Sequence, residues 1–99
     1  MTTTYKVRSK VVPYPGMSAW FFVYVDKKQA GVIREKHAGV KRGFGSIRVT
    51  VTLGKTKWKT SIFPDKQSGT YLLPLKAAVR RAEGIDAGDV VSFTLTIGA

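Results

Sequence analysis

The chain has 99 residues, 43% of them hydrophobic, which supplies one core and excludes an intrinsically disordered chain. Seventeen Lys and Arg against six Asp and Glu give a formal net charge of +11, a balance that favours polyanionic partners and says little about fold. With no cysteine and a single histidine, His37, disulfides, thiolate metal sites and cysteine nucleophiles are excluded, and neither a metal nor a cofactor is expected. The longest apolar run, Ala19 to Val25, is too short to span a bilayer, and Met1 to Lys6 has no apolar signal core. The expectation is one soluble, cytoplasmic, non-enzymatic domain over residues 1–99, a monomer or weak homodimer with no membrane contact.

Tyr5, Val7 and Val11 alternate with Lys6, Arg8 and Lys10, the signature of a half-buried strand. The Val12-Pro13-Tyr14-Pro15-Gly16 segment stops it, because proline cannot donate to a ladder. Trp20 to Val25 is apolar on both faces and reads as a strand buried on both sides. At Asp26 the period changes: Asp26 and Gln29 have the spacing of a capping box, Val25 and Ala30 that of a hydrophobic staple. A helix over 27–36 follows, with Ala30, Ile33 and His37 on one face and His37 placed to meet the C-terminal dipole.

Residues 37–45 hold three glycines and two cations, an exposed loop whose glycines form a tight corner. Ile47, Val49, Val51 and Leu53 then alternate with polar residues, and Gly54-Lys55 suits a two-residue hairpin turn. Counting outward pairs Val51 with Trp58, Val49 with Thr60 and Ile47 with Ile62, so both strands agree on the apolar face. Trp20 and Trp58 read as core residues. Pro64 to Gly69 is a turn and Thr70 to Leu73 a short strand. A helix over 75–83 opens on Pro74, carries Leu75, Ala78, Val79 and Ala82 as its apolar stripe, and ends at Gly84 with Ile85 as a lock. Asp86 to Asp89 turns into a last strand with Val91, Phe93, Leu95 and Ile97 inward. The two strand–cap–helix stretches starting at Tyr24 and Leu72 echo one another and suggest a pseudo-twofold βα repeat.

The stretch from Leu73 to Val91, with its proline-led helix and Gly88-Asp89 turn, resembles AbrB-type and MazE-type swapped-hairpin barrels, which implies barrel architecture. Arg42-Gly43-Phe44-Gly45-Ser46, Trp58 to Lys66 and Tyr71 to Lys76 together resemble the signatures of an uncharacterised bacterial family, found alone or beside the YdeI/OmpD-associated domain. That resemblance implies a small closed β-barrel with two short helices and carries no catalytic or binding residues with it. The fold class expected is therefore mainly β, a closed six-stranded barrel with two helices.

Arg42 to Gly45 also matches the opening of the RNA-recognition signature, but Ser46 and Val49 replace its later aromatics. Residues 36–64 contain no carboxylate. Within them Arg48, Lys57 and Lys59 share the outer hairpin face, and Lys41, Arg42 and Phe44 lie on the loop leading into it. Cations for phosphates beside a ring for stacking is what single-strand binding requires. The leading expectation is a basic module holding nucleic acid or another polyanion through Lys41, Arg42, Arg48, Lys57 and Lys59, with Phe44 as the stacking ring. The alternative is a small-ligand or protein-binding barrel, in which the glycine-rich loop and Phe63-Pro64-Asp65 line a cleft. Asp86 and Asp89 are explained by a turn, and Thr60 and Ser61 have no histidine near in sequence, which argues against hydrolytic chemistry.

Overall fold

Along the chain run β1 (Thr2–Lys10), β2 (Val12–Pro13), β3 (Phe21–Tyr24), α1 (Lys27–Lys36), β4 (Ile47–Leu53), β5 (Thr56–Asp65), β6 (Thr70–Pro74), α2 (Ala77–Glu83) and β7 (Val90–Gly98). This computed structural model describes residues 2–13, 20–37 and 45–98. All strand pairs are antiparallel, and the sheet order is β1-β7-β4-β5-β6-β3-β2. The sheet curls into a half-barrel around a core that includes Val7, Ile33, Val51, Ile62, Leu73 and Leu95.

Among the described residues, seven strands in a half-barrel replace the closed six-stranded barrel expected from the sequence. The difference arises at Val11. Its N–H donates to the Asp89 carbonyl and its carbonyl accepts from the Gly88 N–H, both at 2.8 Å, so the first apolar segment is broken there. Val12 and Pro13 then pair with Phe22 and Phe21 as a separate two-residue strand at the far edge of the sheet. Proline is tolerated there because an edge strand has one side without ladder partners. β1 and β2 therefore end the sheet on opposite sides, and no ladder joins them among the described residues.

The β4–β5 hairpin has the expected register, Val51 opposite Trp58, Val49 opposite Thr60 and Ile47 opposite Ile62. Gly54 in its turn has φ +60°, a left-handed conformation, and a Cβ there would stand 1.9 Å from Glu83 Oε1. That carboxylate accepts from the Thr56 hydroxyl at 2.6 Å and the Lys55 N–H at 3.3 Å, tying α2 to the hairpin. Gly54→Ala combines left-handed strain of about 1–2 kcal/mol with loss of hydrogen bonding worth about 1 kcal/mol. A drop of about 2–3 kcal/mol in the urea-derived unfolding free energy is expected.

α1 has the expected limits, with Asp26 accepting from the Gln29 N–H at 3.0 Å and Val25 and Ala30 both buried. Gln29 reaches elsewhere than its usual target. Its side-chain amide donates to the Asp26 carboxylate at 2.7 Å and to the Lys6 carbonyl at 2.8 Å, covering part of edge strand β1. Burial would raise the Asp26 carboxyl, but the Gln29 hydrogen bonds and the charge of Lys28 outweigh it and hold it below its usual range.

At the other end of the molecule's second helix–strand unit, α2 starts later than the sequence suggests. Pro74 closes β6 opposite Phe22, and the Leu75 N–H donates to the Phe21 carbonyl at 2.8 Å, extending the β3–β6 pairing past the proline. Only Val79 of the helix is buried, while Ala78 and Ala82 are exposed, so the apolar stripe is narrower than expected. Gly84 is the left-handed cap and Ile85 is buried behind it. β5 also runs on through Pro64 and Asp65, residues the sequence assigns to a turn.

His37 caps α1 but does not serve the dipole as a cation. It is 7% exposed, its Nε2 lies 2.8 Å from the Tyr5 hydroxyl, and burial, reinforced by Lys36, pushes its pKa below 6.5. The imidazole is neutral in the folded protein near pH 7, whereas in the unfolded chain it protonates at its ordinary value. The stabilisation is thus complete above about pH 6.5 and is lost as pH falls through the depressed folded value. Urea midpoints should fall as pH drops below about 6.5, above the carboxylate range, and His37→Gln should flatten that limb.

Candidate nucleic-acid interface

Strand alternation and register decide which cations share a face. The sheet places Lys6, Thr94, Thr52 and Lys57 in one row across β1, β7, β4 and β5, and Thr4, Thr96, Thr50 and Lys59 in the next. Arg8 and Lys10 continue the basic line along β1, and Arg48, opposite Ser61, adds a cation on β4. All six cations are exposed. The β1 line stands about 14 Å from the β5 line, three strand spacings of about 4.8 Å. Between them lie hydroxyl side chains, with Thr4 and Thr96 hydrogen bonded at 3.2 Å. A shallow depression of about 430 Å³ opens over Lys6, Arg8, Thr52, Ser92 and Thr94.

No Asp or Glu occupies any of these outward positions. Lysine and arginine over threonine and serine supply charge and hydroxyl hydrogen bonding, the combination that meets a phosphate backbone without reading bases.

Of the residues singled out from the sequence, Arg48, Lys57 and Lys59 are brought together on this face. Lys41, Arg42 and Phe44 lie outside the described residues. Lys6, Arg8 and Lys10 were not selected from the sequence. Their alternation marked them as the polar side of a strand, but their place beside β7 depends on a pairing between the two ends of the chain.

The glycine corner is realised at Gly45, whose φ is +76° and whose Cβ would meet Pro64 Cγ at 3.4 Å. Phe63 is 41% exposed, and the Asp65 carboxylate accepts from the Ser68 N–H at 3.2 Å, which fixes the following turn. Of the two tryptophans expected to pack in the core, Trp58 does pack against it and Trp20 does not. Trp58 is only half-buried against the core, and Trp20 is 53% exposed because it lies just before β3 begins. Among the described residues, no three of His, Asp and Glu are grouped to hold a metal ion. No described helix is long and apolar enough to cross a membrane.

The architecture defines a small, mainly β domain, a curled antiparallel sheet braced by two helices with a cationic outer face. Residues 8–95, which carry both helices and the basic hairpin, match the family described as a domain of unknown function (DUF1905), and the chain belongs to that family. No curated protein matches the chain.

Proposed function

We propose that the outer face of β1, β7, β4 and β5 binds single-stranded nucleic acid through its phosphates, without enzymatic chemistry. The observation that carries this reading is the register, which collects Lys6, Arg8, Lys10, Arg48, Lys57 and Lys59 on one face, with no Asp or Glu at the outward positions of 2–10, 48–52 and 57–61. Lys41, Arg42 and Phe44, which precede β4 in sequence, belong to the same reading as phosphate-binding cations and a stacking ring. Bases are not read on the sheet itself, so affinity there depends on charge and salt more than on sequence.

The test is the anisotropy of a labelled 12-nucleotide oligothymidylate titrated with protein at several salt concentrations. Binding that weakens linearly in log–log form, and whose slope falls when face cations are removed, supports the proposal. No binding at about 150 mM salt, where exposed charges are screened beyond about 8 Å, overturns it in favour of a small-ligand or protein partner.

The same reading takes β3–α1 and β6–α2 as related by a half turn. Val23 pairs with Leu73, and the bonds Val25 N–H to Tyr71 carbonyl and Leu75 N–H to Phe21 carbonyl match at a spacing of fifty residues. The helix caps Asp26 and Lys76 keep that spacing.

A further inference from the structure

The depression over β1, β7 and β4 sets cations beside hydroxyls. Lys6 is paired with Thr94 and Arg8 with Ser92, each one strand spacing of about 4.8 Å away. Thr52 follows on β4, opposite Thr94, and Gly54 leaves part of the rim without a side chain. Several hydroxyls elsewhere in the fold are engaged: Thr4 bonds Thr96, Thr56 bonds Glu83, and Thr70 bonds the Val25 carbonyl. The hydroxyls of Thr52, Ser92 and Thr94 make no side-chain hydrogen bond among the described residues. Phe93, the ring among the lining residues, is 3% exposed, so a base has nothing to stack on there. Lysine and arginine only donate hydrogen bonds, which makes Thr52, Ser92 and Thr94 the side-chain acceptors of this depression.

We propose that this depression seats a ribose–phosphate unit of the bound strand and makes the face selective for RNA over DNA. Lys6 and Arg8 hold the phosphate, and the Thr94 and Thr52 hydroxyls hydrogen-bond the ribose 2′-hydroxyl. A 2′-hydroxyl both donates and accepts, as a threonine hydroxyl does, and it is what distinguishes RNA from DNA at a given site. It sits on the carbon next to the one that bears the 3′-phosphate, matching a hydroxyl held next to a cation. A deoxyribose offers only C–H at that point and leaves the hydroxyls to solvent. The inference rests on the phosphate-binding reading and adds the sugar to it.

The probes are labelled 12-nucleotide strands of oligouridylate, oligodeoxyuridylate and 2′-fluoro-oligouridylate, equal in length, charge and base. The fluoro strand keeps a ribose-like pucker but has no hydroxyl proton. One net hydrogen bond corresponds to about two- to twelvefold in affinity, and the wild type should prefer oligouridylate to either other strand by about that factor. Thr52→Val with Thr94→Val keeps side-chain shape and strand propensity, and should bring the ribo-to-deoxy ratio close to one. Thr94→Ser, which keeps the hydroxyl, should retain the preference. Equal affinity of the wild type for the ribo and deoxy strands overturns the ribose site and leaves phosphate binding standing. A preference shared by the fluoro strand does the same, because it comes from sugar pucker. A preference that survives intact in the folded valine variant overturns the assignment to Thr52 and Thr94. The three-strand comparison on the wild type decides the site without any variant. Absence of binding by all three strands at about 150 mM salt overturns both readings.

Discussion

Leu95→Ala is expected to cost about 2–5 kcal/mol of folding stability, as truncation of a fully buried leucine does. Leu95 is 0% exposed on β7, between Tyr5 of β1 and Val51 of β4 in the register, so the cavity would open where three strands meet the core. Small domains are stable by about 5–15 kcal/mol, and the substitution therefore removes a large share of the total. A fall in urea midpoint with an unchanged m-value checks it. Trp58→Ala should be milder, about 1–3 kcal/mol, below the value for a fully buried tryptophan because the side chain is only partly buried against the core. A loss for Trp58→Ala as large as that for Leu95→Ala would mean that the ring packs as a fully buried side chain.

Raising salt from about 50 to 200 mM is expected to weaken oligothymidylate binding about 50- to 130-fold, from four or five phosphate contacts at about 0.7 each in log–log slope. Net charge alone would give attraction, so the decisive comparison uses charge-matched pairs. Arg48→Ala with Lys57→Ala, and Lys6→Ala with Arg8→Ala, should each lower the slope by about 1.4. Lys36→Ala with Lys66→Ala removes two exposed cations from outside this face, at the end of α1 and in the β5–β6 turn, and should leave the slope near that of the wild type. Equal losses from all three pairs would mean diffuse attraction without a site. A loss confined to the Arg48 pair would restrict the interface to the hairpin.

What was legible in the sequence was set by near neighbours. The β4–β5 register followed from alternation plus a two-residue turn, since one slipped residue would put Val49 and Val51 in water. The start of α1 followed from Asp26 and Gln29, and the end of α2 from Gly84, because caps act within a turn of chain. The cations of β4 and β5 could be grouped for the same reason. Features that depend on distant pairings were hidden. The break at Val11 needs the turn at Gly88 and Asp89, the strand character of Pro74 needs Phe21 and Phe22, and the exposure of Trp20 needs the limits of β3. Alternation in β1 showed that Lys6, Arg8 and Lys10 point away from Tyr5 and Val7, yet only the pairing of β1 with β7 places them beside Lys57 and Lys59. Local propensity thus determined the elements and their inward faces, while sheet order, fixed by contacts between chain ends, decided which faces became one surface.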